Sequence, residues 1–255
     1  MGKSAFKRIH EMLEASDTEA PVFPPTIIYN EGWMLRIILS LQFDGVGCLP
    51  FTVRPSSRWY SEALLASPFL PRKRGDPLAE SHTHVDGVIG HIDFRPETKA
   101  GLTLTPSATQ FVVTEAKMFS HLSKGTTHAP YYDQAARNVG CIAWVISQSG
   151  RSVEDFESLG FYVLAPQEQI DAGVFSEQVQ KSSIREKVSR RVSAYSKDTE
   201  KYDELQTWMK TFFLPTLQQI DIRCLSWEST IDAIDDASIR TFYNRCLKFN
   251  AKPQS

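Results

Sequence analysis

Residues 109–120, TQFVVTEAKMFS, carry a glutamate and a lysine two positions apart at the end of an apolar run. Side chains of a strand alternate between its faces, so Phe111, Val113, Glu115 and Lys117 share one face, and Val112, Thr114, Ala116 and Met118 the other. A face that turns from apolar to charged at its end is either emerging into solvent or building a site. A second acid, Asp93, ends an earlier strand-like run, HVDGVIGHIDF. Carboxylates at the ends of two adjacent strands can converge on one divalent cation. Oxygen donors of this kind suit Mg²⁺ or Mn²⁺, which keep several waters and take one or two protein carboxylates. The backbone carbonyl of Ala116 offers a further oxygen. Lys117 would stand where an ammonium can orient a bound water and offset charge growing on a phosphate.

The elements that must position these groups follow from periodicity. Asn30 is placed to cap a buried helix in which Met34, Leu35, Ile38 and Leu39 recur at helical spacing, with Glu31 in its first turn. The spacing predicts a strand in GCLPFTVRPS, a short helix in RWYSEALLAS and a polar loop over 68–81. The run of β-branched residues before Arg95-Pro96 predicts one strand through Asp93, and the next strand should pair with it antiparallel. Tyr132, Ala136, Val139, Ala143 and Ile146 then mark a helix, and FYVLAP a buried strand returning to the sheet. Residues 167–196 read as helical over much of their length. A helix broken near Pro215 follows, then a strand within DIRCLSWESTIDAI, and a closing helix over DASIRTFYNRCLKF. Strands interleaved with helices imply a layered α/β arrangement.

The order VIGHIDF, FVVTEAK and a helix opening YDQAARN resembles the PD-(D/E)XK nuclease superfamily, in particular its RecB-like and lambda-exonuclease-like branch, over roughly residues 30–165. The resemblance implies a restriction-endonuclease-like three-layer fold with a central mixed sheet. Length, composition and the lack of a Gly/Ser/Pro-rich linker point to a single domain over 1–255, in which the resemblance implies a nuclease core at 26–165 with a largely helical C-terminal part at 166–255 packed on it. It maps a metal ligand to Asp93 after Gly90, and the acid and lysine to Glu115 and Lys117. Glu31 is the candidate for a further ligand from an early helix. Gln134 matches the first position of the family's Gln-x-x-x-Tyr helix signature, while Asn138 replaces its tyrosine. Ile92 stands where the name motif has proline. With Gln134 counted among the catalytic residues, the metal set is Asp93, Glu115, the Ala116 carbonyl and Glu31. The implied activity is Mg²⁺- or Mn²⁺-dependent hydrolysis of DNA phosphodiesters, with RNA left open as a second polymer. No cysteine triplet accompanies Cys224 or Cys246, so no iron–sulfur cluster is expected.

Composition bounds the partners. The 255 residues carry a net charge of −2 with an isoelectric point near 6.3, so any nucleic-acid contact must be local rather than a global basic field. Two clusters qualify: PRKRGD at 71–76, and 181–201, in which Arg190 and Arg191 are the candidate phosphate contacts alongside Asn138. The alternative for 181–201 is a solvated helix face. Four dispersed cysteines without a CxxC pair, a charged N-terminal stretch and the lack of a long apolar run predict a soluble intracellular protein with no membrane partner. His82, His84 and Asp86 in HTHVD offer either a zinc site of another class or groups flanking the carboxylate site. The second functional reading is a non-catalytic nucleic-acid-binding or interaction module that keeps the nuclease fold.

Overall fold

The computed structural model describes residues 4–18, 21–71, 75–76, 78–99 and 101–251. After a short N-terminal helix α1 (Ala5–Glu14), α2 (Glu31–Phe43) begins where predicted, because Asn30 Oδ1 accepts the Trp33 N–H at 2.9 Å. The strands β1 (Arg58–Leu65), β2 (Thr83–Gly90), β3 (Ile92–Phe94), β4 (Leu102–Leu104) and β5 (Gln110–Ala116) precede α3 (Gln134–Ser147), capped by Asp133. Strand β6 (Ser158–Ala165) and helices α4 (Gln167–Asp171), α5 (Lys181–Ser193) and α6 (Thr199–Trp208) follow. A π-helical turn, Met209–Phe213, leads into α7 (Leu214–Gln219), with Pro215 in its first turn, where a missing N–H is tolerated. Strand β7 (Asp221–Ser226), α8 (Trp227–Ile234) and α9 (Ala237–Asn250) complete the described chain. Among the described residues no helix is long and apolar enough to cross a membrane.

Five strands form a mixed sheet in the order β1-β2-β5-β6-β7, antiparallel from β1 to β5 and parallel from β5 to β7. One face, carrying Val88, Phe111, Val113, Phe161 and Val163, packs on α3 and α5 to α7. The other, carrying Ile89, Val112, Ala116 and Leu164, packs on α2, α8 and α9. Helices therefore flank both faces of the sheet. Residues 166–255 were expected to be largely helical, and β7 within them extends the sheet beside β6.

Three expectations give way to tertiary context. RWYSEALLAS is the edge strand β1 rather than a helix: pairing with β2 buries Ala63 and Leu65 completely, which outweighs the helix propensity of Glu62, Ala63 and Leu64. GCLPFTVRPS forms no strand, since Pro50 and Pro55 remove ladder donors. The Gln110 side chain holds it instead, accepting from Arg54 N and donating to Thr52 O, both at 2.9 Å. The strand predicted through Asp93 breaks at Gly90. A Cβ there would lie 3.0 Å from the Gln110 carbonyl carbon and closer still to its oxygen. The chain then leaves the main sheet, and Ile92, Asp93 and Phe94 pair with Leu104, Thr103 and Leu102 in a separate two-stranded ribbon.

Candidate active site

Strand β2 pairs with β5 from Gly90–Phe111 to Gly87–Thr114, and there the ladder stops. The next residues, Asp86 and Glu115, lie side by side where the two strands part. With β2 unavailable, the Ala116 N–H donates to Asp86 Oδ2 at 2.8 Å. Lys117 N donates to Leu164 O of β6, so Ala116, one residue earlier, turns its own N–H and C=O the other way, toward Asp86. The Ala116 carbonyl shares the β2 side of the strand with that N–H. Behind the fork, Trp227 of α8 donates from Nε1 to Lys117 O at 2.9 Å and fixes the strand end.

Glu115 is the hub. It is fully buried on the α3 face, and three donors converge on it: Lys117 Nζ at 3.2 Å and Gln134 Nε2 at 2.6 Å on Oε2, and Asn138 Nδ2 at 2.7 Å on Oε1. Gln134 and Asn138 sit one turn apart on α3, so one helix face presents two amides to one carboxylate. Lys117 Nζ also lies 3.9 Å from Asp86 Oδ2, and the Asp86 side chain, 30% exposed, is open to solvent, as in part is Gln134. Burial, with the neighbouring Asp86 carboxylate, pushes the Glu115 pKa up to about 8, against the opposing pull of Lys117 and Asn138. Two carboxylates this close, one of them buried, repel each other unless a proton or a cation intervenes.

The donor set fits a hard divalent ion. Asp86, Glu115 and the Ala116 carbonyl are all oxygen donors, and two carboxylates is the number Mg²⁺ commonly takes from a protein. Among the described residues no group of three or more His, Cys, Asp or Glu could hold a metal, so the site stands on two acids and backbone. Asn138 Oδ1 is buried and has no hydrogen-bond partner, an unsatisfied acceptor beside the carboxylate pair where a bound water could be held.

The other sequence candidates lie elsewhere. Asp93 is exposed on β3, beyond the end of β2 opposite to the fork, and its Oδ1 accepts from the Phe94 N–H at 2.8 Å. Gly90 faces Phe111, four residues or about 13 Å of strand from Glu115. Asp93 is therefore not brought to Glu115; Asp86 is. Glu31 opens α2 on the other face of the sheet, where burial, and after it the Glu31 carboxylate, raise the pKa of the Cys246 thiol, and no hydrogen bond or ion pair joins Glu31 to Asp86, Glu115 or Lys117. Asn138 is completely buried and serves Glu115 rather than a surface contact. Arg191 is also fully buried: its guanidinium bonds to Leu78 O and lies over Phe69, 4.8 Å from the ring centroid. Of the two arginines, Arg190 alone is exposed. The three basic residues of the 71–76 cluster, 72–74, lie outside the described residues, and the exposed His84 side chain has no hydrogen-bond partner among the described ones. Asp86 could have been found from register alone, because ending β2 at Gly90 puts it opposite Glu115.

The Glu115 pKa has a measurable consequence. The native state holds this proton between the unfolded value, near 4.5, and about 8, so metal-free stability should fall as pH rises through that window and level off above it. Divalent binding must displace the same proton, so Mn²⁺ affinity should climb about tenfold per pH unit from 6 to near 8 and then flatten. Calorimetric titration across pH 6–9 tests this; an affinity independent of pH would mean that Glu115 is not a ligand.

Comparison with family models, with curated proteins and with solved structures found no match.

Proposed function

We propose that the protein is a divalent-metal-dependent nuclease that hydrolyses phosphodiester bonds of DNA. The observation that carries this reading is the fork of β2 and β5, where Asp86, Glu115, Lys117, Gln134 and Asn138 form one connected cluster at the sheet edge of α3. The strand order supports the finer, restriction-endonuclease-like reading of the fold. An antiparallel run β1-β2-β5 is followed by α3 and a parallel β6, and the acid and lysine stand at the end of β5.

In this reading Asp86 and Glu115 bind the ion, assisted by the Ala116 carbonyl. When bound, Mg²⁺ or Mn²⁺ would polarise the scissile phosphate and make a bound water more acidic. Lys117 orients the attacking water and offsets the charge that builds on the phosphoryl oxygens as the new oxygen–phosphorus bond forms and the leaving oxygen departs. Gln134 and Asn138 hold Glu115 in one rotamer, so the ligand geometry is set before substrate arrives.

The direct test incubates the purified protein with linear, circular and single-stranded DNA, and with RNA, in Mg²⁺, Mn²⁺ or EDTA. Cleavage of DNA that needs the metal and stops in EDTA is the expected result. A wild-type protein that binds nucleic acid without cutting it would favour the non-catalytic module. RNA cut in place of DNA would move the substrate class.

A further inference from the structure

Three residues before Gln134, which bonds Glu115, the ring of Tyr131 carries a cation with no part in the carboxylate cluster. Arg190, exposed on α5, lays its guanidinium over the Tyr131 ring at 3.8 Å from the centroid. No hydrogen bond or ion pair engages it among the described residues. Glu186, one turn earlier on the same helix, does not bridge to it, whereas Lys187 is taken up by Asp133 at 2.8 Å and Glu177 at 3.5 Å. Asp133 caps α3, Gln134 opens it, and Gln134 touches Glu115. Tyr131 thus precedes the Glu115-bonded residue by three positions, at most about 11 Å of extended chain.

We propose that the Tyr131–Arg190 stack grips the substrate's phosphate backbone a few nucleotides from the scissile bond; this rests on the nuclease reading above. Stacking on an aromatic ring restricts a guanidinium to one plane while leaving its edge N–H groups free, which suits two-point contact with phosphate oxygens. Neighbouring phosphates are about 3.4 Å apart along the axis of a duplex strand, so a grip at this range falls within several nucleotides of the fork. Exposed Lys124, His121 and His128 occupy the loop between β5 and Tyr131, so the approach carries basic side chains. The ring has a distinct duty: it holds the arginine, and its hydroxyl is dispensable.

The experiment measures binding of fluorescein-labelled duplex and single-stranded DNA in Ca²⁺ over a salt series, with steady-state cleavage in Mn²⁺. Five variants are compared: Arg190→Ala, Arg190→Lys, Tyr131→Phe, Tyr131→Ala and, as a charge control, Arg185→Ala on an exposed part of the same helix. Arg190→Ala should weaken binding about tenfold and reduce the duplex salt slope by about 0.9, the value for one phosphate contact. The loss should appear in KM rather than kcat. Arg190→Lys should keep the salt slope yet lose affinity, Tyr131→Phe should match wild type, and Tyr131→Ala should approach Arg190→Ala. Arg190→Ala with wild-type affinity and slope overturns the grip, and so does Arg185→Ala with an equal loss, which would indicate diffuse attraction. A wild type whose binding follows this variant pattern but which never cleaves overturns only the hydrolytic reading. A wild type that binds no nucleic acid overturns both.

Discussion

Asp86→Asn should lower single-turnover cleavage by on the order of 10²-fold or more, the scale for losing one preorganised charge-stabilising group, whereas Asp93→Asn should cleave at the wild-type rate. The two residues are seven apart in sequence, and the chain between them explains the difference. Strand β2 ends at Gly90, where it presses on the β5 backbone, and the following residues turn away to pair with β4. Asp86 stays at the fork and accepts the Ala116 N–H. Asparagine can accept that same bond through its amide oxygen, so the fold should persist while a negative ligand is lost. The substitution also removes a like charge beside Glu115, so the upper limit of the pH window over which metal-free stability declines should move down. Reversed cleavage results for the two variants would return the site to the β3 ribbon.

Lys117→Ala should cost a similar factor, on the order of 10²-fold, in single-turnover cleavage, with only a modest loss of DNA affinity. The ammonium lies 3.2 Å from Glu115 Oε2 and 3.9 Å from Asp86 Oδ2, within reach of a water held between them. Its charge matters most while the phosphoryl oxygens gain charge, so its removal acts on rate more than on binding. Folding should survive although Lys117 is largely buried, because Glu115 can keep its proton instead of standing as an uncompensated buried anion. Thermal melting at pH 6.5, where Glu115 is already protonated, separates the two effects. A mutant cleaving at the wild-type rate removes Lys117 from the chemistry, and one that fails to fold at pH 6.5 makes the lysine structural.

Much of this arrangement is legible in the sequence. Alternation alone assigned Glu115 and Lys117 to one face, and helical spacing put Gln134 and Asn138 one turn apart, which is how both amides reach Glu115. The antiparallel pairing of β2 with β5 also followed from their adjacency. The second acid is misplaced by the sequence because β-branched Val88, Ile89 and Ile92 continue the strand pattern on either side of Gly90 and His91, and the close backbone approach that only a glycine at 90 allows is not visible in that pattern. That approach is to Gln110, twenty residues on, and is a tertiary fact. Arg190 and Arg191 illustrate the same limit. Adjacent on α5, they look alike in sequence, yet one is exposed and lies over the face of the half-buried Tyr131 ring while the other is enclosed by Phe69, Tyr132 and Tyr195. Strand β1 was misread for a related reason: Glu, Ala and Leu favour helices, and the pairing that overrides them comes from residues 83–90.

The central claim is that Asp86 and Glu115 share one divalent ion. Crystals grown at pH 8.5, where Glu115 is ionised, and soaked in Mn²⁺ would locate it by anomalous scattering. The expected map has a peak at the β2–β5 fork, contacted by Asp86, Glu115 and the Ala116 carbonyl, and loses that peak in Asp86→Asn crystals treated alike. A fork without a peak at saturating Mn²⁺, or a peak at Asp93 instead, would contradict it.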